Sequence, residues 1–441
     1  MKKILMIAYE YPPVGGIGVQ RILKFTKYLP KYGWKPIVLT VRNPVAKVFD
    51  PLLTTEISPK VEVYRTSSLE PQKICRTAER AGKKILSILD KVLRTNKLVE
   101  AFHWRFERLI PKGYNNSFFF IPDRDIGWFP FAVLKGWEII ERRKVERIFT
   151  TGPPHSTHMI GLALKIICDR PWVADFRDPW TEYIHWFPPT VVHRKFGEFM
   201  ERIVIEYADK IISVVDYMTR DFIDKYPQID REKFITIPNG FDTEDYKVAI
   251  PKKDSKFTIT YTGTFWGYHS YITPHYFLRA LRELLNEKKW LEEDIRVVFV
   301  GNFSNYYKKR VKDLFLDNIV LWPGFVSHRE SIAYILSSDV LLLIVGTGKG
   351  SDRIFTGKVF EYLGAKRPIL GLVVPNGVAA RLIRETRSGI IVPPEDIEAI
   401  KRAIYDLYLR YKKGNLYSSF EWKGIQKYER EKLTEKLASL L

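Results

Sequence analysis

Short apolar runs separated by helix-length patterns recur almost throughout this 441-residue chain. The first series is KILMIAY, PIVLTV, VEVYRT, RIFTTG, WVADFRD, KIISVV and FITIPNG; the second is FTITYTG, IRVVFVG, NIVLWPGF, DVLLLIVG, RPILGLV and SGIIVPP. Each has the length and the branched or aromatic content of a strand. Helical patterns such as VQRILKFTKYL, with Val19, Ile22 and Leu23 on one face, lie between several of them. Parallel strands need long crossovers, usually helices, so this alternation predicts parallel sheets covered on both faces. The length exceeds what one ordinary core supports. The unit changes at IPNGFDTEDYKVAIPKKDSK, polar and proline-flanked, which reads as an interdomain linker. The expected fold class is α/β: two doubly wound parallel-sheet domains facing a cleft, over residues 1–240 and 241–419.

Composition narrows the setting. A hydrophobic content of 46% and an aromatic content of 14% belong to a globular chain. No run approaches 18 apolar residues, and the apolar part of MKKILMIAYEYPP is too short for a signal peptide. Cys75 and Cys168 have neither metal-ligand nor redox spacing, which fits a reducing cytoplasm. The net charge of +20 calls for an anionic partner: nucleic acid, a membrane face or a phosphorylated small molecule. Residues 70–112 hold eleven Lys or Arg against five Asp or Glu, and their apolar residues repeat at helical spacing. Such a basic amphipathic insertion either packs its stripe on its own domain or lies on an anionic bilayer.

Ligands of doubly wound sheets sit beyond the carboxyl ends of the strands, where strand order reverses. Four polar or glycine-bearing turns fall at such ends: YEYPPVGGIG, TTGPPHSTH, DFRDPW and YTGTFWG. In the first, Gly15, Gly16 and Gly18 precede a helix, so the turn either needs positive φ or brings backbone N–H groups up to an anion. Asp175, Arg177 and Asp178 lie within four residues, as an internal ion pair or as a group that binds substrate hydroxyls. His155 stands behind two prolines, a rigid mount for either a structural or a catalytic imidazole. In GTGKGSDRIFTGKVFEYLG a glycine-rich basic stretch leads into a helix on which Lys358 and Glu361 share a face. There a cation and the helix dipole can hold a diphosphate, and the carboxylate can accept from a ribose diol.

The segments GGIGVQR, DFRDPW, IPNGFD and GKVFEYLGAKRPIL, in this order and spacing, resemble a glycosyltransferase of family 4 with the GT-B architecture of two Rossmann-like domains. PDRDIGWFPFA and TTGPPHSTH resemble the subgroup that builds surface polysaccharides and related glycans. The resemblance implies a nucleotide-diphosphate sugar held mainly by the C-terminal domain and a glycan or lipid-linked acceptor held by the N-terminal one. It also implies retention of configuration, no essential metal and no bound cofactor. The last helix, within residues 420–441, is expected to cross back onto the first domain. Glu361 matches the second glutamate of the family's Glu-x7-Glu motif, which contacts the ribose, and Gly15 and Gly16 match the loop that approaches the donor diphosphate.

Two departures stand out. The first-glutamate position is Arg353, beside Asp352, and GTFWGYH replaces the Arg and Lys usual after the first strand of the second domain. Lys349, Arg353 and Lys358 become the expected phosphate clamp, with Gly263, Thr264, Gly357 and Val359 completing the donor site. Asp178, Arg177 and His155 are the expected catalytic group, and Asp175 with His155 the acceptor contacts. Catalysis is expected to stabilise charge on the leaving diphosphate, the acceptor hydroxyl giving its proton to a departing phosphate oxygen. The Asp-x-Asp at 123–125 mimics a metal motif of the other large transferase architecture, yet it precedes a helix start. A two-domain nucleotide-sugar epimerase and a basic nucleic-acid-binding protein remain as alternatives, although no recognition helix, zinc spacing or RNA motif favours the latter.

Overall fold

The computed structural model describes residues 1–44, 48–69, 121–183, 186, 188–251, 254–265, 272–348, 350–354 and 356–441. The expected basic insertion at 70–112, with Cys75, lies outside the described residues. Seven strands form the first sheet: β1 (Lys2–Ala8), β2 (Trp34–Val41), β3 (Glu62–Thr66), β4 (Arg147–Gly152), β5 (Trp172–Phe176), β6 (Lys210–Ser213) and β7 (Phe234–Thr236). Six form the second: β8 (Phe257–Thr262), β9 (Ile295–Val300), β10 (Val320–Gly324), β11 (Val340–Ile344), β12 (Ile369–Leu372) and β13 (Gly389–Val392). Each coincides with an apolar run singled out above, β1 and β2 starting one and two residues ahead of theirs.

The orders are β3-β2-β1-β4-β5-β6-β7 and β10-β9-β8-β11-β12-β13, with all pairings parallel. Both sheets are doubly wound, with order reversing between β1 and β4 and between β8 and β11. β1 shows why the runs are continuous rather than alternating. Ile4 and Met6 pack on one face with Val19 and Ile22, and Leu5 and Ile7 on the other with Trp128 and Trp172. All four strand residues are 0% exposed, as a sheet covered by helices on both sides requires.

The helix Ile17–Tyr28 buries Val19, Ile22 and Leu23 against the first sheet, on the face read from the sequence. The C-terminal helix Arg430–Ala438 packs Leu433 and Leu437 into that same core. Burying two leucines contributes about 1.5–3 kcal/mol each, and Lys31 pairs with Glu431 at 2.8 Å over them. The backbones of Phe241 and Tyr428 to Arg430 exchange hydrogen bonds of 3.0 and 2.8 Å where the chain leaves and re-enters the first domain.

The expected linker is held down at its start. Arg21 donates to the carbonyls of Ile237 and Pro238, each at 2.9 Å. Asp242 accepts from Lys27 at 2.7 Å and from the Tyr28 hydroxyl at 2.6 Å, and it caps the helix Thr243–Val248. Burial disfavours the Asp242 carboxylate, but Lys24, Lys27 and Tyr28 outweigh that and hold its pKa well below the usual range. Among the described residues no helix is long and apolar enough to cross a membrane.

Candidate active site

The turn after β1 stands at the first switch point. Val14 bridges to Phe49, the Gly15 N–H donates to Val48 at 3.1 Å, and the Asp50 N–H donates to Pro13 at 2.8 Å. The N–H of Gly15 is therefore spent within the loop and is not offered to a diphosphate, a correction to the sequence reading. Gly16 has φ 115°, open to glycine but strained for other residues, and faces open space. The helix that follows has no capping side chain and no acid in its first turn; Val19 and Gln20 N–H donate to the Gly16 carbonyl, which leaves the N–H groups of Ile17 and Gly18, among the described residues, for an anion. Gly18 has a steric reason: a Cβ there would overlap the guanidinium of Arg177.

Sequence reasoning places Arg177 among reactive groups, and the structure gives it a brace instead. Its guanidinium donates to the carbonyls of Gly152 and Pro153 and fills the space beside Gly18, tying three strand-end turns together. Asp175 also departs from expectation. It is 0% exposed and binds Arg21 through Nε at 3.0 Å and Nη2 at 2.7 Å, and it accepts from the Thr151 hydroxyl at 2.7 Å. No acceptor hydroxyl can reach it. Asp178 is the exposed member of this turn, and its crowded surroundings raise its pKa, with Arg177 opposing.

His155 is half-buried and stacked on Trp180, with ring centroids 4.8 Å apart and planes 3° apart. Burial first, then His158 and Arg177, hold it well below the ordinary histidine pKa, so it is a neutral imidazole. Among the described residues its Nδ1 has no hydrogen-bond partner. His158 is structural: it is fully buried, with Nδ1 2.9 Å from the Thr150 hydroxyl. Asp123 of the Asp-x-Asp stretch caps the helix Ser156–Cys168, accepting from Ser156 N–H at 2.8 Å, and also accepts from Asp125 N–H at 3.0 Å. Each of its two carboxylate oxygens thus accepts from a backbone N–H.

In the second domain Lys358 opens the helix Lys358–Ala365, which also lacks a capping side chain. Its Nζ lies 3.9 Å from the Tyr261 ring centroid, and a Cβ on Gly263 would come within 2.5 Å of it. Gly263 has φ 134° and donates its N–H to Val300 at 2.8 Å, leaving Thr264 half-buried after it. Burial pulls the Lys358 amine down to about 7, with Glu361 opposing. Among the described residues no carboxylate forms an ion pair with it. Val359 makes no donor contact: its side chain is 0% exposed and its N–H donates to Thr356 at 3.2 Å.

The expected three-cation clamp is divided. Lys349 lies outside the described residues. Arg353 reaches across the cleft to Asp221 of the first domain at 2.9 Å and stands 5.6 Å from the Tyr217 ring centroid. Burial raises Tyr217 to about 12, helped by Asp178 and Asp221 and, more weakly, by Asp352, while Arg353 opposes. Tyr217 and Asp221 of the first domain thus receive Arg353 of the second across the cleft.

Glu361 and Gly357 share a small cavity of about 20 Å³ with Gln20, Lys24, Asp245 and His328. The Glu361 Oε1 lies 3.2 Å from His328 Nε2, and the His328 backbone N–H donates to Asp50 Oδ2 at 2.8 Å. Sequence reading missed His328, Lys24 and Asp50, because no spacing links residues that meet only across the two domains. Glu56, Asp245 and His328 bring possible ligand atoms within 4.8 Å of one another. The buried Lys24 ammonium, 2.8 Å from Glu56 and 2.5 Å from Asp245, already supplies a cation there.

Two family models match this chain: Glycosyltransferase Family 4 over residues 102–245 and Glycosyl transferases group 1 over residues 256–410. A putative teichuronic acid biosynthesis glycosyltransferase, TuaH of Bacillus subtilis, is 24% identical over 183 residues, 42% of this chain and 45% of that protein. The match thus spans less than half the length of that relative. A glycosyltransferase from Rickettsia africae shares the fold over 100% of this chain and 97% of its own, with a TM-score of 0.63 at 15% identity. A putative UDP-N-acetylglucosamine 2-epimerase from Listeria monocytogenes also shares it, over 99% and 95%, at 0.58 and 10%. With a glycosyltransferase family matched on each domain and two parallel sheets facing across one cleft, the chain belongs to the family 4-like glycosyltransferases of GT-B architecture.

Proposed function

We propose that this protein transfers a sugar from a nucleotide-diphosphate donor to a hydroxyl of a glycan or lipid-linked glycan, with retention of configuration and without an essential metal. The observation that carries the reading is that the first turn of one uncapped helix, through Gln20, and the start of another, through Gly357, line one cavity between the domains. Both favour an anion, and among the described residues the amine of Lys358 forms no ion pair. In this reading Lys358, beside Gly263 and Thr264, takes the diphosphate, and Glu361 accepts from the ribose once His328 yields. Asp352 and Arg353 face the donor sugar, while Asp178 and neutral His155 orient the incoming hydroxyl.

The sugar–oxygen bond to the diphosphate breaks as the bond to the acceptor oxygen forms, and the acceptor proton passes to a departing phosphate oxygen. Fixed dipoles and the Lys358 cation stabilise the growing negative charge without reorganisation. Closure of the domains excludes water and so suppresses hydrolysis. The name of the Bacillus subtilis relative points to a cell-surface polysaccharide as acceptor. We assign the surplus of positive charge to an anionic lipid surface rather than to nucleic acid.

Thermal melts against a panel of nucleotide diphosphates and nucleotide sugars test this reading. A ligand near a hundredfold over Kd stabilises by about 2.7 kcal/mol. A shift with one nucleotide class, lost in Glu361→Ala and Lys358→Ala, supports the donor site. No shift with any of them sinks it. Interconversion of a bound nucleotide sugar without any acceptor would favour an epimerase.

A further inference from the structure

A second pocket, of about 420 Å³, opens beside the candidate active site and is walled by three segments. The turn after β6 and the start of the helix Asp216–Lys225 come from the first domain, the helix Val378–Thr386 from the second, and the C-terminal crossover closes the third side. Its volume falls in the range of small-molecule sites. Tyr217 belongs to its wall, and its ring centroid stands 5.6 Å from the Arg353 guanidinium.

The lining has two tones. The floor is apolar, with Val214, Val215 and Leu382 between 3% and 7% exposed. The rim carries four cations, Arg220, Arg381, Lys427 and Lys436, against the carboxylates of Asp216 and Glu385. Lys436 is anchored, donating to the Thr236 carbonyl at 2.9 Å. Arg220 and Arg381, one from each domain, are exposed and have no ion-pair partner among the described residues. Like charges gathered around a concave surface repel one another and raise the local concentration of anions. Guanidinium groups hold phosphate or carboxylate through paired N–H donors.

We propose that this pocket is a second ligand site, distinct from the donor site, for an organic oxyanion carrying an apolar arm: the phosphate or carboxylate between Arg220 and Arg381, and the arm on Val214, Val215 and Leu382. Because its walls come from both domains, such a ligand joins them and favours the closed arrangement. The inference does not rest on sugar transfer.

Calorimetry on the whole chain tests it, with geranyl phosphate as probe and inorganic phosphate and geraniol as half-probes. Geranyl phosphate is expected to bind at least tenfold more tightly than either half-probe. The double variant Arg220→Gln/Arg381→Gln is expected to weaken it at least tenfold, with an unchanged melting temperature and unchanged nucleotide-diphosphate binding. Equal binding by variant and wild type, or no binding by wild type, overturns the site. Inorganic phosphate binding as tightly as geranyl phosphate overturns the role of the apolar floor. Sedimentation with phosphatidic acid vesicles identifies the source of the oxyanion. Loss of sedimentation in the double variant assigns the pocket to a bilayer headgroup, and retention of it alongside lost geranyl phosphate binding assigns it to a dissolved ligand; either result upholds the site.

Discussion

His328 of the second domain holds Glu361 through its side chain at 3.2 Å and the first-domain carboxylate of Asp50 through its backbone at 2.8 Å. One residue thus reports the position of the first domain to the carboxylate proposed to bind the ribose. Burial disfavours the imidazolium, yet the hydrogen bond and charge of Glu361, with Asp245 behind, hold its pKa above the ordinary value. Stability from this pair is then fully present below about pH 6.5 and is lost as pH rises through the folded value. Melting temperatures of wild type and His328→Gln should therefore differ most at pH 6 and converge above neutrality. A gap that stays constant from pH 6 to 8.5 would show that the pair does not titrate with folding.

Lys358 leads to a prediction about ligand rather than fold. Its amine sits near 7 in the free protein, because burial lowers it more than Glu361 raises it. An anion binds the charged form, so nucleotide-diphosphate affinity should hold below pH 7 and fall by up to about tenfold per unit above it. Lys358→Arg keeps its charge throughout and should bind with a flatter profile. Titration calorimetry at three pH values separates the two; parallel profiles would remove Lys358 from the diphosphate.

The buried pair of Arg21 and Asp175, at 1% and 0% side-chain exposure, should be costly to break from one side. Asp175→Asn is expected to lose about 3 kcal/mol, since it leaves a buried guanidinium uncompensated. Arg21→Met/Asp175→Leu should recover much of that loss. Urea unfolding measures both, and a loss below about 1 kcal/mol in the single variant would contradict the structural role given to Asp175.

Gly18 and Arg177 should be coupled. Gly18→Ala displaces the guanidinium from the Gly152 and Pro153 carbonyls and is expected to cost about 1.5–3 kcal/mol, the range for lost hydrogen bonds to a charged group. In an Arg177→Ala background the same substitution should cost little. A double-mutant cycle checks this, and additive losses would mean that Gly18 is glycine for another reason.

What could be read from the chain itself was local. Each of the thirteen strands announced itself by an apolar run, because the faces of a parallel sheet are covered by helices: β5, β8 and β11 in the middle are buried throughout, while the outer strands β3 and β10 keep half-buried or exposed residues. Strand ends, the glycine turn and the start of the helix at Lys358 followed from the same local rules. Amphipathic reasoning sends Arg21 and Lys24 to solvent, on the polar side of the helix Ile17–Tyr28. They are instead 0% and 1% exposed, because the strand leaving β7 and the returning C-terminal segment cover that side. Asp175 went the other way from its neighbour Asp178 for the same reason: one faces Arg21 inside the sheet, the other faces the cleft. Periodicity places a residue on a face, but only the approach of another segment decides whether that face meets water. The strands, their order of appearance and the family were therefore written in the sequence, whereas the roles of Arg21, Lys24, His328 and Asp175 were settled where distant segments closed over them.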